Sequence, residues 1–383
     1  VKSGVDNKVA GKCNELKRMF PGSAFVRFST QKSDPDDFFE SVPVKPAHQK
    51  YFKSSRQAKN LFAAVDQLIN SHKGTYDFYL VRYPFASKPL LNLLKAHPGK
   101  IIFEHNTNER AEKEVIVNAN KKKIPFSLSP SVLVYYAESI WNANVKERNL
   151  GTQCLKLAAG GVAVTPEIER IEKAVYPAYK TVVITNGIVP DKAPAENKTK
   201  DLSVLNGVFL AGTNAEWNGI ERIIRSFTAS GTEGMHLYFV GRIEESLKNK
   251  YISSSVHFLE YMSKEELKTF LGKMHFAIGT CAIHKKGLTE GAVLKVRECL
   301  AAGLPIVLGH IDPYIDQIPE LKNYCIAFPP DDSLMDFNLV SVRLKEMYKE
   351  EGINDRIKEL ANTFFSWEMV LEPLKGFLNA LKN

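Results

Sequence analysis

Short apolar runs alternate along this chain with stretches whose apolar positions recur at three- and four-residue spacing. That alternation is the signature of βαβ units and a parallel sheet. In the first half the runs 25–28, 78–81, 101–103, 162–164 and 182–184 predict strands. Between the first two, Ala58, Leu61, Phe62, Val65, Leu68 and Ile69 share one side of a 3.6-residue period and predict an amphipathic helix. Together they account for one α/β layer.

From Asn186 to Lys200 the pattern lapses into Asn-Gly, two prolines and a mixed-charge run, the look of an interdomain connection. The alternation then restarts at 207–211, 236–240, 256–259, 276–280, 304–308 and 326–328, predicting a second α/β domain. Ser263 and Glu266 have capping-box spacing ahead of an apolar-periodic stretch that Gly272 stops. Beyond Leu334 the chain reads as helical, with Trp367 and a closing segment 370–381 expected to return to the first domain. At the other end Val5, Val9, Cys13, Leu16 and Phe20 lie at helical spacing, so the sequence opens on a helix. The usual βαβ order puts a strand before such a helix, and the expectation is that this first strand is missing. The expected division is 1–190, 200–364 and a terminal helix 365–383.

With 383 residues the chain is long enough for two domains, and 44% hydrophobic content supplies apolar material for cores. The net charge of +8 favours anionic partners such as nucleotides or anionic membrane surfaces. Five cysteines (Cys13, Cys154, Cys281, Cys299, Cys325) are scattered without C-x-x-C spacing, which suits reduced, buried side chains of a cytoplasmic protein rather than a zinc ribbon. No run approaches the roughly 18 apolar residues of a membrane span, and Val1 to Gly4 carries no apolar signal-peptide core. The basic run Lys121-Lys122-Lys123 before Ile124-Pro125-Phe126 reads as a solvated loop, or as a weak contact to the inner face of a membrane.

The segment richest in chemistry runs from Leu288 to Leu308. Gly291 suits close backbone approach, and Gly303 followed by Pro305 suits a helix stop, so a short helix is expected over 292–302. Its N-terminus would offer free N–H groups to a phosphate or a sugar hydroxyl. Glu290 and Glu298, eight residues apart, would lie about 80° apart in helical azimuth and face one ligand. The same spacing serves equally a solvated face on which Glu298, Arg297 and Lys295 meet water.

Glu290, seven intervening residues, then Glu298-Cys299-Leu300-Ala301-Ala302-Gly303-Leu304-Pro305-Ile306-Val307 resembles the signature of the retaining GT-B glycosyltransferases called group 1, or family four. In matching order come the segment from Tyr76 to Tyr83, Glu104-His105-Asn106, Thr185-Asn186-Gly187, Leu210-Ala211-Gly212, Trp217-Asn218-Gly219, Phe239-Val240-Gly241 and Phe365-Ser366-Trp367-Glu368. The resemblance spans nearly the whole chain, and 290–307 is its specific part. It implies two Rossmann-like domains facing a cleft, with C-terminal helices packing back on the first. It further implies that Glu298 binds the ribose hydroxyls of a UDP- or GDP-linked sugar. Glu290 would lie near the donor sugar, and the N–H groups around Gly291, Ala292, Val293 and Leu294 would hold its hydroxyls or β-phosphate. Gly212 and Thr213 would approach the diphosphate, Phe258 and Leu259 would flank the base, and His105 would face the donor sugar unless it is a structural histidine. The family's usual last helix corresponds to the Trp367 segment.

One departure stands out. Many relatives carry an arginine and a lysine after the first strand of the second domain, yet 212–219 contains neither, and Thr213 and Asn218 take those places. Lys295 and Arg242 are the candidate replacements. Asp34-Pro35-Asp36 matches a D-x-D metal motif but sits in a polar turn, and no metal, cofactor or nucleic-acid partner is implied. The activity implied is transfer of a sugar, with retention, to a carbohydrate or lipid-linked acceptor in cell-surface polysaccharide or glycoconjugate synthesis. Two other readings are a catalytically impaired module that binds nucleotide or a partner protein, and a different enzyme on the same fold, such as an epimerase or phosphorylase.

Overall fold

In the computed structural model the described residues are 4–29, 40–46, 53–112, 147–191, 193, 195, 201–212 and 215–382. Thr213, the Asp34-Pro35-Asp36 turn and the Lys121-Lys122-Lys123 run therefore lie outside them. The chain forms two compact units, one of Cys13–Ile184 with Leu371–Asn383, the other of Val1–Lys12 with Thr185–Val370.

The first unit is built on strands β3 (Tyr79–Arg82), β4 (Ile101–His105), β5 (Gly160–Ala163) and β6 (Thr181–Val183), all parallel and in sequential order. β4 and β5 are almost wholly buried, as the middle strands of a sheet covered on both faces must be. The helix Lys53–Ser71 forms where the sequence places it, and its Phe62, Val65 and Ile69 pack with Leu90, Leu94, Ile101 and Phe103. Thr165 opens the helix Pro166–Val175: its Oγ1 accepts from the Ile168 N–H, and a proline follows where no N–H is needed.

The apolar run at 25–28 has a different place from the one its pattern suggests. β1 (Val26–Ser29) pairs in parallel with β2 (Glu40–Pro43), a strand the pattern does not reveal, in a separate two-stranded ladder. β1 is only half-buried along its length, and Pro43 gives β2 the missing donor of an edge strand. The last helix, Trp367–Lys382, packs its end on the four-stranded sheet, as expected. A Cβ on Gly160 would lie 2.8 Å from Phe377, and Lys382 Nζ reaches Asp77 at 2.6 Å.

The second unit holds six parallel strands: β7 (Leu205–Ala211), β8 (Met235–Gly241), β9 (Val256–Leu259), β10 (Phe276–Ile278), β11 (Ile306–Leu308) and β12 (Cys325–Ala327). Their order, β12-β11-β10-β7-β8-β9, is that of a doubly wound sheet. It reverses between β7 and β10, and such a sheet binds ligands beyond the carboxyl ends of its strands at that point. Phe276 is the register partner of Gly207 and fully buried, and its ring fills the space a side chain at 207 would take: a Cβ there would meet the ring at 2.2 Å. The capping box is present as read, with the Ser263 side chain accepting from the Glu266 N–H and the Glu266 carboxylate from the Ser263 N–H. β11 begins two residues after the apolar run does because the helix stop reaches into that run. Gly303 adopts φ +82, and the Leu304 N–H returns to the Cys299 carbonyl.

The segment after β6 is tied to this second unit. Asn186 Nδ2 donates to the Ala292 carbonyl at 2.5 Å, Ile188 bridges to Ser366, and Asp191 meets Lys268 at 3.0 Å and Lys358 at 3.2 Å. Among the described residues no helix is long and apolar enough to cross a membrane.

Candidate functional site

The helix carrying Glu298 is shorter than its sequence suggests, Leu294–Ala301, and Gly291 to Val293 precede it in extended backbone. The cause is local. Glu290 forms a parallel bridge with Ile311, the Gly291 N–H donates to the Ile311 carbonyl, and the Ala292 carbonyl is taken by Asn186. These bonds hold 290–292 straight, so the azimuth argument for Glu290 and Glu298 does not apply. Loop and helix nevertheless adjoin in one turn of chain. Val293 caps the helix with no side-chain bond to its first N–H groups, and the N–H of Val296 folds back to the Val293 carbonyl. Leu294 and Lys295 are left as the backbone donors of the first turn, one position further along than the sequence places them.

Glu298 is half-buried on this helix. Burial pushes its carboxyl upward, against the pull of Lys295 and Lys264. Burial likewise holds the Lys295 ammonium below its ordinary range, with Glu298 acting the other way. A Cβ on Gly212, at the end of β7, would lie 3.2 Å from Lys295 Cε and 3.6 Å from Nζ. The lysine is thus brought to the strand end where the motif lacks its own Arg and Lys. Arg242, by contrast, is exposed after β8. Phe258 lies in β9 with its ring against Phe239, centroids 5.5 Å apart.

Arg297 overturns the idea of a solvated face. It is fully buried, forks onto both oxygens of Asp312 at 2.7 and 2.8 Å, and lies 3.9 Å over the Phe365 ring. Its fixed planar geometry anchors the helix from behind, leaving Lys295 and Glu298 on the other side. His310 is a further buried neighbour the sequence does not flag. The Thr280 carbonyl can only accept, so His310 Nδ1 donates to it at 2.8 Å and Nε2 carries the lone pair. A Cβ on Gly291 would lie 3.2 Å from that Nε2, which explains the glycine there.

His105 belongs to the other unit, at the end of β4, with 0% of its surface exposed. Its Nε2 lies 3.3 Å from the Tyr179 hydroxyl, while Nδ1 faces Glu172 at 3.5 Å and Glu109 at 3.8 Å. Tyr83 lies tilted against the ring, centroids 4.9 Å apart, and donates its hydroxyl to Glu147. Burial pushes the Glu172 carboxyl up to about 7, helped by Glu109 and Glu147 and opposed by His105. Burial alone would lower His105, but Glu109, Glu172 and Glu147 outweigh it and raise it. The ring is enclosed by these groups. Glu109 stands four residues beyond His105, where the chain has left β4 and turned into a short helix, so no helical spacing in the sequence announces the pair.

Neither a comparison with protein families nor one with curated protein sequences finds a match. Solved structures do resemble the chain. A sucrose-phosphate synthase from Thermosynechococcus elongatus is 14% identical, with a TM-score of 0.66 over 99% of this chain and 94% of that one. The catalytic domain of starch synthase IV from Arabidopsis thaliana, bound to ADP and acarbose, is 11% identical, with a TM-score of 0.64 over 100% and 96%. HepE from Anabaena, in complex with UDP and glucose, is 13% identical, with a TM-score of 0.58 over 99% and 96%. At such identities the likeness speaks for architecture: two parallel α/β units and terminal helices in which this chain has the GT-B glycosyltransferase fold.

Proposed function

We propose that the protein moves a sugar from a nucleotide-diphosphate sugar to an acceptor hydroxyl with retention of configuration. The observation that carries this reading is Lys295 beside the end of β7, at the switch point of the six-stranded sheet, on the helix that also carries Glu298 and follows the Glu290 loop. A carboxylate such as Glu298 can accept both hydroxyl protons of a ribose, as the acidic residue of a dinucleotide fold does. Lys295 and the first-turn N–H groups supply positive potential for a diphosphate in the place of the absent Arg and Lys. The neighbours whose structures hold UDP with glucose, or ADP with acarbose, support the donor class without naming this protein's base, sugar or acceptor.

Retention on this fold is read from the family resemblance. The departing diphosphate takes the acceptor proton as the sugar passes through an oxocarbenium-like state. Fixed N–H dipoles, Lys295 and Glu290 stabilise the separating charges. A hexosyl donor and an acceptor in polysaccharide or glycoconjugate synthesis are part of the proposal. The rival reading, a module that binds nucleotide without turnover, draws on the lost Arg and Lys. The decisive experiment is calorimetric titration of UDP-, GDP- and ADP-sugars into wild type and Glu298→Ala, followed by product analysis. Loss of about 1.5–3 kcal/mol of binding in the variant is expected, the range for hydrogen bonds to a charged group. Unchanged affinity removes the ribose assignment, and binding without transfer to any acceptor favours the rival.

A further inference from the structure

The His105 cluster takes no part in that scheme, and its geometry asks for an occupant. The Tyr179 hydroxyl donates to the Gly160 carbonyl at 2.9 Å, so its oxygen accepts from His105 Nε2–H. In the neutral ring that fixes the lone pair on Nδ1. This atom is fully buried, has no hydrogen-bond partner, and points between Glu172 Oε1 and Glu109 Oε2. Three electron-rich atoms thus converge in an enclosed space.

A shared proton would draw such groups to about 2.7–2.9 Å, the usual length of a charge-assisted bond. The observed 3.5 and 3.8 Å are longer. They approach the ligand-to-ligand edge of about 3.3–3.6 Å expected when tetrahedral ligands sit about 2.0–2.2 Å from a common ion. The third pair closes the triangle, since one ligand atom from each of the three residues lies within 4.8 Å of the others.

We propose that His105 Nδ1, Glu109 and Glu172 form a binding site for a divalent cation of the zinc type, with a fourth position left to water. Imidazole nitrogen with two carboxylates suits zinc and its first-row neighbours, whereas magnesium and calcium prefer oxygen alone. The surroundings are those of a metal site. Tyr179 orients the ligating imidazole through its other nitrogen, and Tyr83 packs on the ring. Glu147, bonded by Tyr83 and the Ala86 N–H, adds negative potential nearby. The ligands stand on a strand end, on the helical turn that Asn108 opens by accepting from the Ala111 N–H, and on the helix Pro166–Val175. The ion would fasten that helix to the end of β4 and so stabilise this unit.

The test uses the full chain, stripped with chelator and titrated with zinc against a chromophoric competitor. Wild type should take up one equivalent, gain thermal stability with zinc, and develop a visible cobalt spectrum when cobalt replaces zinc. Glu109→Gln and Glu172→Gln, isosteric and uncharged, should each lower zinc affinity more than about tenfold, and Tyr179→Phe by about tenfold, the lower end for outer partners of a metal ligand. Circular dichroism establishes that the variants fold. No uptake by wild type, equal affinity in the two Gln variants, or displacement of zinc by equimolar magnesium overturns the proposal. None of these readouts depends on glycosyl transfer, so the site and the proposed activity fail independently.

Discussion

Replacing Asp312 by Asn should destabilise the second unit severely while changing almost no volume. The carboxylate and the Arg297 guanidinium are both inaccessible and joined by two bonds of 2.7 and 2.8 Å. Asparagine keeps an oxygen for the Tyr314 and Ile315 N–H groups that Asp312 now caps, so loss of the cap is a minor part of the change. What remains is a guanidinium shut away from water without its anion, for which the typical cost is about 3–5 kcal/mol. Against a domain stability of about 5–15 kcal/mol this is about a fifth or more. At about 2–4 °C per kcal/mol for a domain of this size, the melting temperature should fall by about 6–20 °C. Arg297→Lys should fare little better, because an ammonium cannot fork onto two oxygens or lie flat on Phe365. The double variant Arg297→Met with Asp312→Leu should recover most of the loss, since apolar replacement of a buried pair is often neutral. Differential scanning calorimetry resolves the transition of this unit, and urea titration gives the free energies. A cost below about 1 kcal/mol for Asp312→Asn at unchanged m-value would refute the argument, as would a double variant no more stable than either single one.

Glu290→Gln should lower turnover more than donor affinity, because a contact strengthened in the transition state acts on the chemical step; steady-state kinetics beside calorimetry measures the split, and equal losses would make Glu290 a positioning residue. Lys295→Ala should weaken nucleoside diphosphates far more than the parent nucleosides, a contrast that parallel titrations of nucleoside, monophosphate and diphosphate would expose or abolish. Diphosphate affinity should be the same in EDTA and in magnesium if backbone and lysine bind the phosphates, and strict magnesium dependence would contradict this. Asp191, held below the usual carboxylate range by Lys268, the Ala193 N–H and Lys358, contributes stability above its unfolded pKa that is lost as pH falls through the folded one. Asp191→Asn should therefore flatten stability below about pH 4, by under about 1 kcal/mol because the group is partly exposed; an unchanged acid limb would count against the pairing.

The strands and the capping box were legible because each depends on local pattern. Val256–Leu259 and Lys264–Leu271 fall where periodicity and the Ser263 and Glu266 spacing put them. Other features were hidden because their causes are distant in sequence. The straight backbone at 290–292 comes from Ile311 and Asn186, so helical arithmetic carried through Gly291 was bound to fail. Arg297 looks like one more charge on a polar face until Asp312, fifteen residues on, turns out to be buried against it. β2 has no apolar alternation to betray it, since its Glu40 and Pro43 are exposed. For His105 the residue was visible and its company was not: Glu172 and Tyr179 arrive through folding.

Gly207 and Phe276 have a consequence for how this sheet can change over time. The aromatic ring of β10 occupies the volume that β7 leaves empty, so the two positions hold one side chain between them. An alanine at 207 displaces a ring with nowhere to move, and a leucine at 276 alone opens a void of the kind that costs a few kcal/mol. Only a joint exchange keeps the volume constant. Divergent descendants of this sequence should accordingly show the two sites drifting as a pair, and a library randomising both should return large with small and small with large, rarely two of a kind.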